Sequence, residues 1–173
     1  MLWFWRFVFY SFLGFLLEVA FARTTHHPKQ DRKCFLLLPL CPVYGFGALL
    51  ILFLSARWGG GPLQVMVIGF LSATAAEYLF ALFYEEVLGV RFWDYSTLPL
   101  NLNGRVCLLF SLAWTVLALA LVYLLAPAAD RLLTFIPASL GPPAAILLLC
   151  DGVISALALK KTGSTDVLRW YLF

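Results

Sequence analysis

The longest stretch of this chain without a charged residue covers residues 106–129. About 20 apolar residues in a helix cross the roughly 30 Å hydrocarbon core of a bilayer, so this stretch alone can span one. Three further stretches approach that length, and a shorter one lies towards the N-terminus. Hydrophobic residues make up 63% of the chain and charged residues 12%, against roughly 25% charged in soluble domains. These features predict an all-α polytopic membrane protein.

Five apolar stretches predict five transmembrane helices. No segment is left over for a soluble domain, so residues 1–173 are expected to form a single integral membrane domain in the lipid bilayer. The predicted spans cover residues 2–21, 42–56, 63–83, 107–126 and 135–159.

The second span is short unless the residues before it also enter the bilayer. Pro39 and Pro42 interrupt that approach, because proline lacks an amide donor and disfavours helix in the residue before it. A re-entrant turn before the second helix is therefore expected, provided that protein groups or water satisfy its free backbone groups.

The position of Asp151 depends on where the fifth span begins, since prolines interrupt its start. If the helix begins after Pro143, Asp151 lies near the membrane midplane and is a candidate for ion or proton handling. If it begins at Leu132, Asp151 lies near the inner interface and is unremarkable.

Lysine and arginine are unequally divided between the two sides of these five spans. Nine fall on one side and three on the other, which predicts an N-terminus outside and a C-terminus in the cytoplasm. The net charge of +3 is explained by loops that face anionic lipid, so no nucleic-acid partner is expected. The nine are Arg23, Lys29, Arg32, Lys33, Arg91, Arg105, Lys160, Lys161 and Arg169; the three are Arg6, Arg57 and Arg131.

Two carboxylates inside spans are predicted to lie at one membrane depth. At 1.5 Å per residue, Glu18 is about 24 Å into the first span and Glu77 about 21 Å into the third, both towards the cytoplasmic side. Tyr44 opens the second span from that side, and the loop of residues 90–106 lies there as well. We therefore predict a cytoplasm-facing substrate-binding site formed by Glu18, Tyr44, Glu77, Asp94, Asn103 and Arg105.

Each of these charges also has a simpler interpretation. Glu18 is close enough to the interface to reach the headgroups alone, and Glu77 could form a structural ion pair inside the bundle. Arg105 is the best partner for such a carboxylate, but it also stands where an ordinary positive-inside anchor would. Glu85 and Glu86 are expected to cap the third helix as solvated charges.

No motif in the chain indicates a cofactor, a metal or catalysis. His26 and His27 have no third ligand at metal spacing, and the four cysteines form no CxxC pair. The chain has no P-loop, HExxH or GxSxG motif, so it is not expected to hydrolyse ATP or to be an enzyme of those classes.

Five short motifs resemble a bacterial membrane protein family, the CmpB-like "putative ABC-transporter type IV" permeases. They are YSFLGFLLE at 10–18, CPVYGFG at 41–47, EY at 77–78, WDYS at 93–96 and NLNGRVC at 101–107. The resemblance implies a multipass protein of the bacterial cytoplasmic (inner) membrane, and the family label suggests transport.

Three functions are compatible with the sequence. The first is a permease-type transport protein or transporter subunit, completed by a homodimer or by a separate ATPase subunit. The second is an accessory membrane protein whose polar cluster only locks the helices together. The third is a membrane-embedded enzyme, with Glu77 or Glu18 as acid or base and Arg105 holding a lipid phosphate.

Overall fold

The computed structural model describes residues 1–26, 33–59 and 61–172, with side chains described as far as Arg169. Six α-helices account for most of these residues, and the two short strands β1 (Asn101–Leu102) and β2 (Val106–Cys107) pair antiparallel. Short 3₁₀ segments cover Ala138–Leu140 and Thr165–Leu172. The helices are α1 (Leu2–Thr24), α2 (Pro42–Trp58), α3 (Pro62–Glu86), α4 (Leu108–Ala120), α5 (Ala126–Leu133) and α6 (Gly141–Thr162).

The all-α polytopic fold is confirmed, with an apolar helix at each of the five predicted positions. Within the described residues, four helical segments are long and apolar enough to cross a membrane, whereas α2, with 17 residues, is shorter. Many large apolar side chains point outwards, including Leu63, Leu124 and Phe135. Lipid tails can cover such a surface, which would be an aggregation hazard in water. The four long segments are Leu2–Thr24, Pro62–Glu86, Leu108–Leu133 and Ala138–Thr162.

The fourth spanning segment runs seven residues beyond its predicted end at residue 126. Pro127 does not stop it, because the helix widens into a π-helical turn at Leu121–Leu125. The N–H of Ala126 donates to the carbonyl of Leu121, five residues back, and Pro127 has no N–H to continue the normal ladder. The helix resumes as α5 and carries Asp130 near its end.

Close contacts at glycine residues hold α1 to α2 and α3 to α4. A Cβ on Gly14 of α1 would lie 2.2 Å from the ring of Tyr44 on α2, and one on Gly69 of α3 would lie 2.2 Å from Ala118 on α4. Such small-residue contacts are typical of membrane helices, whose backbones approach closely where side chains are absent. Glycine at these positions brings α1 against α2 and α3 against α4.

An ion pair joins α1 and α5 at the end of the bundle opposite Glu18. Arg6 donates from Nε to Oδ1 of Asp130 at 2.8 Å and from Nη2 to Oδ2 at 2.6 Å. The two-pronged geometry fits a guanidinium to a carboxylate. It fixes the first helix beside the last turn of the fourth spanning segment.

The segment of residues 33–41 turns back into the bundle before α2 begins, in agreement with the expected turn. The N–H of Cys41 donates to the carbonyl of Ser11 in the middle of α1, at 2.9 Å. Within this turn, Nζ of Lys33 donates to the carbonyl of Leu36 at 2.6 Å. Lys29 and Arg32, which contributed to the predicted orientation, lie outside the described residues.

Asp151 anchors this turn from the middle of α6. Its carboxylate accepts the N–H of Leu38 at 2.7 Å and that of Leu37 at 3.1 Å, and it also accepts the hydroxyl of Ser155. Since α6 begins at Gly141, the helix starts close to the later of the two predicted positions. The side chain is 1% exposed and satisfies irregular backbone that would otherwise lack partners.

Candidate functional site

A chamber of about 520 Å³ lies among α1 to α4, at the end of the bundle where α1 and α3 finish. The loop between α3 and α4 closes one side of it. Two carboxylates and a group of aromatic side chains line the space, which is a composition suited to binding rather than to packing alone. These residues are Glu18, Phe21, Tyr44, Glu77, Trp93, Tyr95, Phe110 and Trp114.

Glu77 is the most deeply buried charged group in the chamber wall, with 5% of its surface exposed. Oε1 accepts the hydroxyl of Tyr95 at 2.9 Å, and Oε2 accepts the indole N–H of Trp114 at 3.0 Å. Both donors are neutral, so they satisfy the carboxyl oxygens without cancelling a charge. Among the described residues, no lysine or arginine forms a salt bridge with Glu77.

Glu18 enters the same chamber from α1. Oε1 accepts the hydroxyl of Tyr44 at 2.7 Å. The ring of Tyr44 lies directly over Gly14 and packs on Trp114, with 4.9 Å between ring centres. The predicted convergence of Glu18, Tyr44 and Glu77 is therefore seen in the geometry, because all three line one cavity.

Arg105 binds a different carboxylate from the one proposed for it. Its Nε donates to Oε2 of Glu85 at 2.8 Å, and Nη2 contacts Oε1 of Glu86 at 3.2 Å. Glu85 also pairs with Arg91 at 2.9 Å. Glu85 is thus an ion-pair partner with 15% of its side chain exposed, contrary to the expected solvated cap, while Glu86 is 65% exposed. The carboxylates that Arg105 contacts are the ones at the end of α3.

Asp94 and Asn103 shape the loop rather than line the chamber. Asp94 accepts the N–H of Ser96 and a guanidinium N–H of Arg91, each at 2.9 Å. The pKa of Asp94 lies below its ordinary value of 3.8, mainly because the backbone N–H of Ser96 donates to the carboxylate. Hydrogen bonds from the Ser96 side chain and from Arg91 lower this pKa further. Asn103, in a left-handed turn at φ 54°, donates to the Tyr78 hydroxyl at 3.2 Å.

These loop contacts set the aromatic wall of the chamber in place. The indole of Trp93 donates to the carbonyl of Arg105 at 2.8 Å, and the N–H of Tyr95 donates to the carbonyl of Gly104 at 2.7 Å. Tyr95 also stacks on Phe110 of α4, with centroids 4.8 Å apart and planes 20° apart. Arg105 and its neighbours thus position the wall that faces Glu77.

Five aromatic residues of the site were not among the predicted ones, namely Phe21, Trp93, Tyr95, Phe110 and Trp114. One signal was present, because Trp114 stands well inside a span while other tryptophans fall near predicted interfaces. Hydrogen bonding explains the position, since a buried indole N–H needs an acceptor and Glu77 supplies it. Tyr95 lies in the WDYS motif, but its sequence position does not reveal its contact.

An apolar cleft of about 300 Å³ adjoins the chamber. Tyr44 and Trp114 line both spaces, and the cleft continues past Ala48 and Ala73 to Leu121 and Leu125 on the π-helical turn. π-helical turns are frequent at functional sites. The two spaces together have a polar end beside Glu77 and an apolar end along α4.

No group of three or more His, Cys, Asp or Glu side chains among the described residues could hold a metal ion. The polar groups that converge on the chamber are carboxylates with hydroxyl and indole donors. This arrangement can bind a cation or exchange a proton.

Comparison with known proteins identifies one family. A family with the description "Putative ABC-transporter type IV", the CmpB family, matches residues 5–157. The match extends beyond residues 10–107, which carry the motifs. No curated protein and no solved structure matches the chain. The family covers the chamber, the loop and most of α6, and the chain belongs to this CmpB family.

Proposed function

We propose that the chain is a permease-type transport protein or a transporter subunit whose solute site is the chamber. Glu18, Tyr44 and Glu77 contact the solute, and Asp94, Asn103 and Arg105 hold the loop that closes over it. The whole chain acts as one integral domain of the bacterial inner membrane. The basic-residue asymmetry orients the chamber towards the cytoplasm.

The pairing of Glu77 carries the proposal. A buried carboxylate that only locked helices would be expected to have a cationic partner, because an unpaired charge inside a membrane protein is costly. Glu77 instead meets two neutral donors at the wall of a 520 Å³ cavity, and Arg105 pairs with Glu85. This arrangement favours a binding role for Glu77 over the structural lock.

The family description supports transport coupled to a separate ATPase chain, since this sequence contains no P-loop. Five short helices cannot enclose a wide pathway, so a second copy or a partner subunit would complete it. The enzyme alternative has less support. Arg105, which would hold a lipid phosphate, is already engaged by Glu85 and Glu86.

The test uses purified protein in proteoliposomes on a solid-supported membrane. Ammonium, tetramethylammonium, choline and decyltrimethylammonium are applied in turn, and protein-dependent current is measured. The expected result is current with at least one cation, lost in Glu77→Gln. The amide can still accept from Trp114 and donate to Tyr95, so the melting temperature should stay close to that of the wild type.

The matched control is Asp166→Asn, which removes a carboxylate on the C-terminal 3₁₀ segment and should retain the current. Absence of protein-dependent current with every cation would contradict a solute pathway formed by this chain without a partner subunit. A Glu77→Gln protein that melts much earlier, with its current restored after stabilisation, would favour the structural lock.

A further inference from the structure

We propose that the chamber and the apolar cleft together bind one amphiphilic cation, with its head beside Glu77 and its hydrocarbon tail along α4. This inference rests on the proposed solute site and goes beyond it by naming the chemical class of the ligand. It follows from three features: the sign of the charges, the aromatic wall and the shape of the combined space.

The charged groups of the chamber select a cation. Among its described lining residues, Glu18 and Glu77 carry carboxylates, and none is a lysine or an arginine. Arg105 is held away at the end of α3 by Glu85 and Glu86. A carboxylate in low-dielectric surroundings gains most from a cation that displaces little of its existing hydrogen bonding. Glu77 can keep both neutral donors while a cation approaches.

The aromatic wall selects a cation that carries apolar substituents. Tyr44 and Trp114 pack together, and Tyr95 stacks on Phe110, so ring faces and edges surround the space beside Glu77. Ring faces attract alkylated ammonium groups, which are weakly hydrated and lose little by leaving water. The described residues hold no group of three or more His, Cys, Asp or Glu side chains that could coordinate a metal ion.

The apolar cleft has room for the hydrocarbon tail of the ligand. It begins at Tyr44 and Trp114, which it shares with the chamber, and it ends at Leu121 and Leu125. Trp114 and Leu125 are separated by about 16 Å along the helix at 1.5 Å per residue, which is room for an alkyl chain of medium length. A site for a small hydrophilic cation would not need this extension.

The inference is tested by equilibrium binding to the protein in zwitterionic nanodiscs, with empty nanodiscs as the correction for partitioning. Four probes are compared: tetramethylammonium, butyltrimethylammonium, octyltrimethylammonium and decyl sulfate. Each buried methylene should raise the affinity up to about fourfold, so octyl should exceed butyl by up to about 200-fold. Decyl sulfate should bind at least tenfold more weakly than the octyl cation.

Glu77→Gln should lower the affinity for the octyl cation by at least tenfold, while Asp166→Asn should leave it unchanged. The chain-length and charge comparisons use only the wild-type protein, so they stand even if Glu77→Gln fails to fold. Equal binding of decyl sulfate and the octyl cation would overturn the inference in favour of an apolar lipid-chain site. An affinity for tetramethylammonium equal to that for the octyl cation would overturn the inference in favour of a small-cation site.

The outcomes also separate this inference from the proposed function. Chain-length-dependent cation binding without any current in proteoliposomes would contradict transport by this chain without a partner subunit and leave the ligand class standing. Current carried by ammonium or choline, with no gain from an alkyl tail in either assay, would contradict the ligand class and leave transport standing. No binding of any probe overturns the inference.

Discussion

The indole N–H of Trp114 on α4 donates to Oε2 of Glu77 on α3, at a distance of 3.0 Å across 37 residues of sequence. The bond lies in the wall of the chamber, and Tyr95 of the intervening loop occupies the other carboxyl oxygen. One acidic side chain thus connects two helices and the loop between them. A change that removes both hydrogen bonds should therefore alter the chamber wall and the position of the loop together.

Trp114→Phe should destabilise the protein by about 1–3 kcal/mol, because it leaves a buried carboxyl oxygen without its donor. Thermal unfolding in detergent measures the change. Trp58→Phe is the control, since Trp58 is 66% exposed and its substitution should stay within about 0.5 kcal/mol. The same Trp114→Phe change should cost less in a Glu77→Leu background, where no acceptor remains for the indole. Equal costs in both backgrounds would mean that the hydrogen bond contributes little.

Gly14→Ala should separate α1 from α2, because the added Cβ would lie 2.2 Å from the ring and 2.4 Å from the Cβ of Tyr44. Overpacking of this kind costs about 1–3 kcal/mol and should also weaken the bond between Tyr44 and Glu18. Gly47→Ala is the matched control on α2, where the nearest atom is Ala76 Cβ at 4.0 Å. A melting temperature for Gly14→Ala equal to that of the control would contradict the close contact.

Asp151→Asn should loosen the turn of residues 33–41, because the amide offers one acceptor oxygen where the carboxylate offers two to Leu37 and Leu38. Hydrogen bonds to a charged group contribute about 1.5–3 kcal/mol each. Cys41, buried in the native fold, should react faster with a maleimide in a Cys150→Ala background. Cys107 is equally buried and serves as the internal control, with an unchanged rate. Unchanged labelling of Cys41 would show that Asp151 is dispensable for the turn.

Membrane orientation is tested with Thr25→Cys and Arg57→Cys in a background without the four native cysteines. The nine-to-three distribution of basic residues predicts that an impermeant maleimide labels position 57 from outside intact cells and leaves position 25 unlabelled. A permeant reagent should label both. Labelling of position 25 alone by the impermeant reagent would reverse the topology.

The helices and their order could be predicted from the sequence because membrane insertion depends on local apolar length. Charge-free stretches near 20 residues predict spanning helices wherever they fold, and the helix bounds followed to within a few residues except at α5 and α6. The rise per residue predicts a common depth for Glu18 and Glu77, and both side chains line one cavity. The interruption before α2 followed from Pro39 and Pro42, which prevent a regular helix there.

Which polar side chains contact each other was decided only by the tertiary structure, because these contacts depend on helix rotation and on the path of the loop. Several carboxylates precede Arg105 in the sequence, and in the structure the residue lies at the turn of the hairpin β1–β2 and contacts Glu85 instead of Glu77. The role of Asp151 required the position of the turn at residues 33–41, more than 110 residues away along the chain. Hydropathy is a sum over neighbouring residues, whereas these contacts join surfaces that meet only after the helices pack.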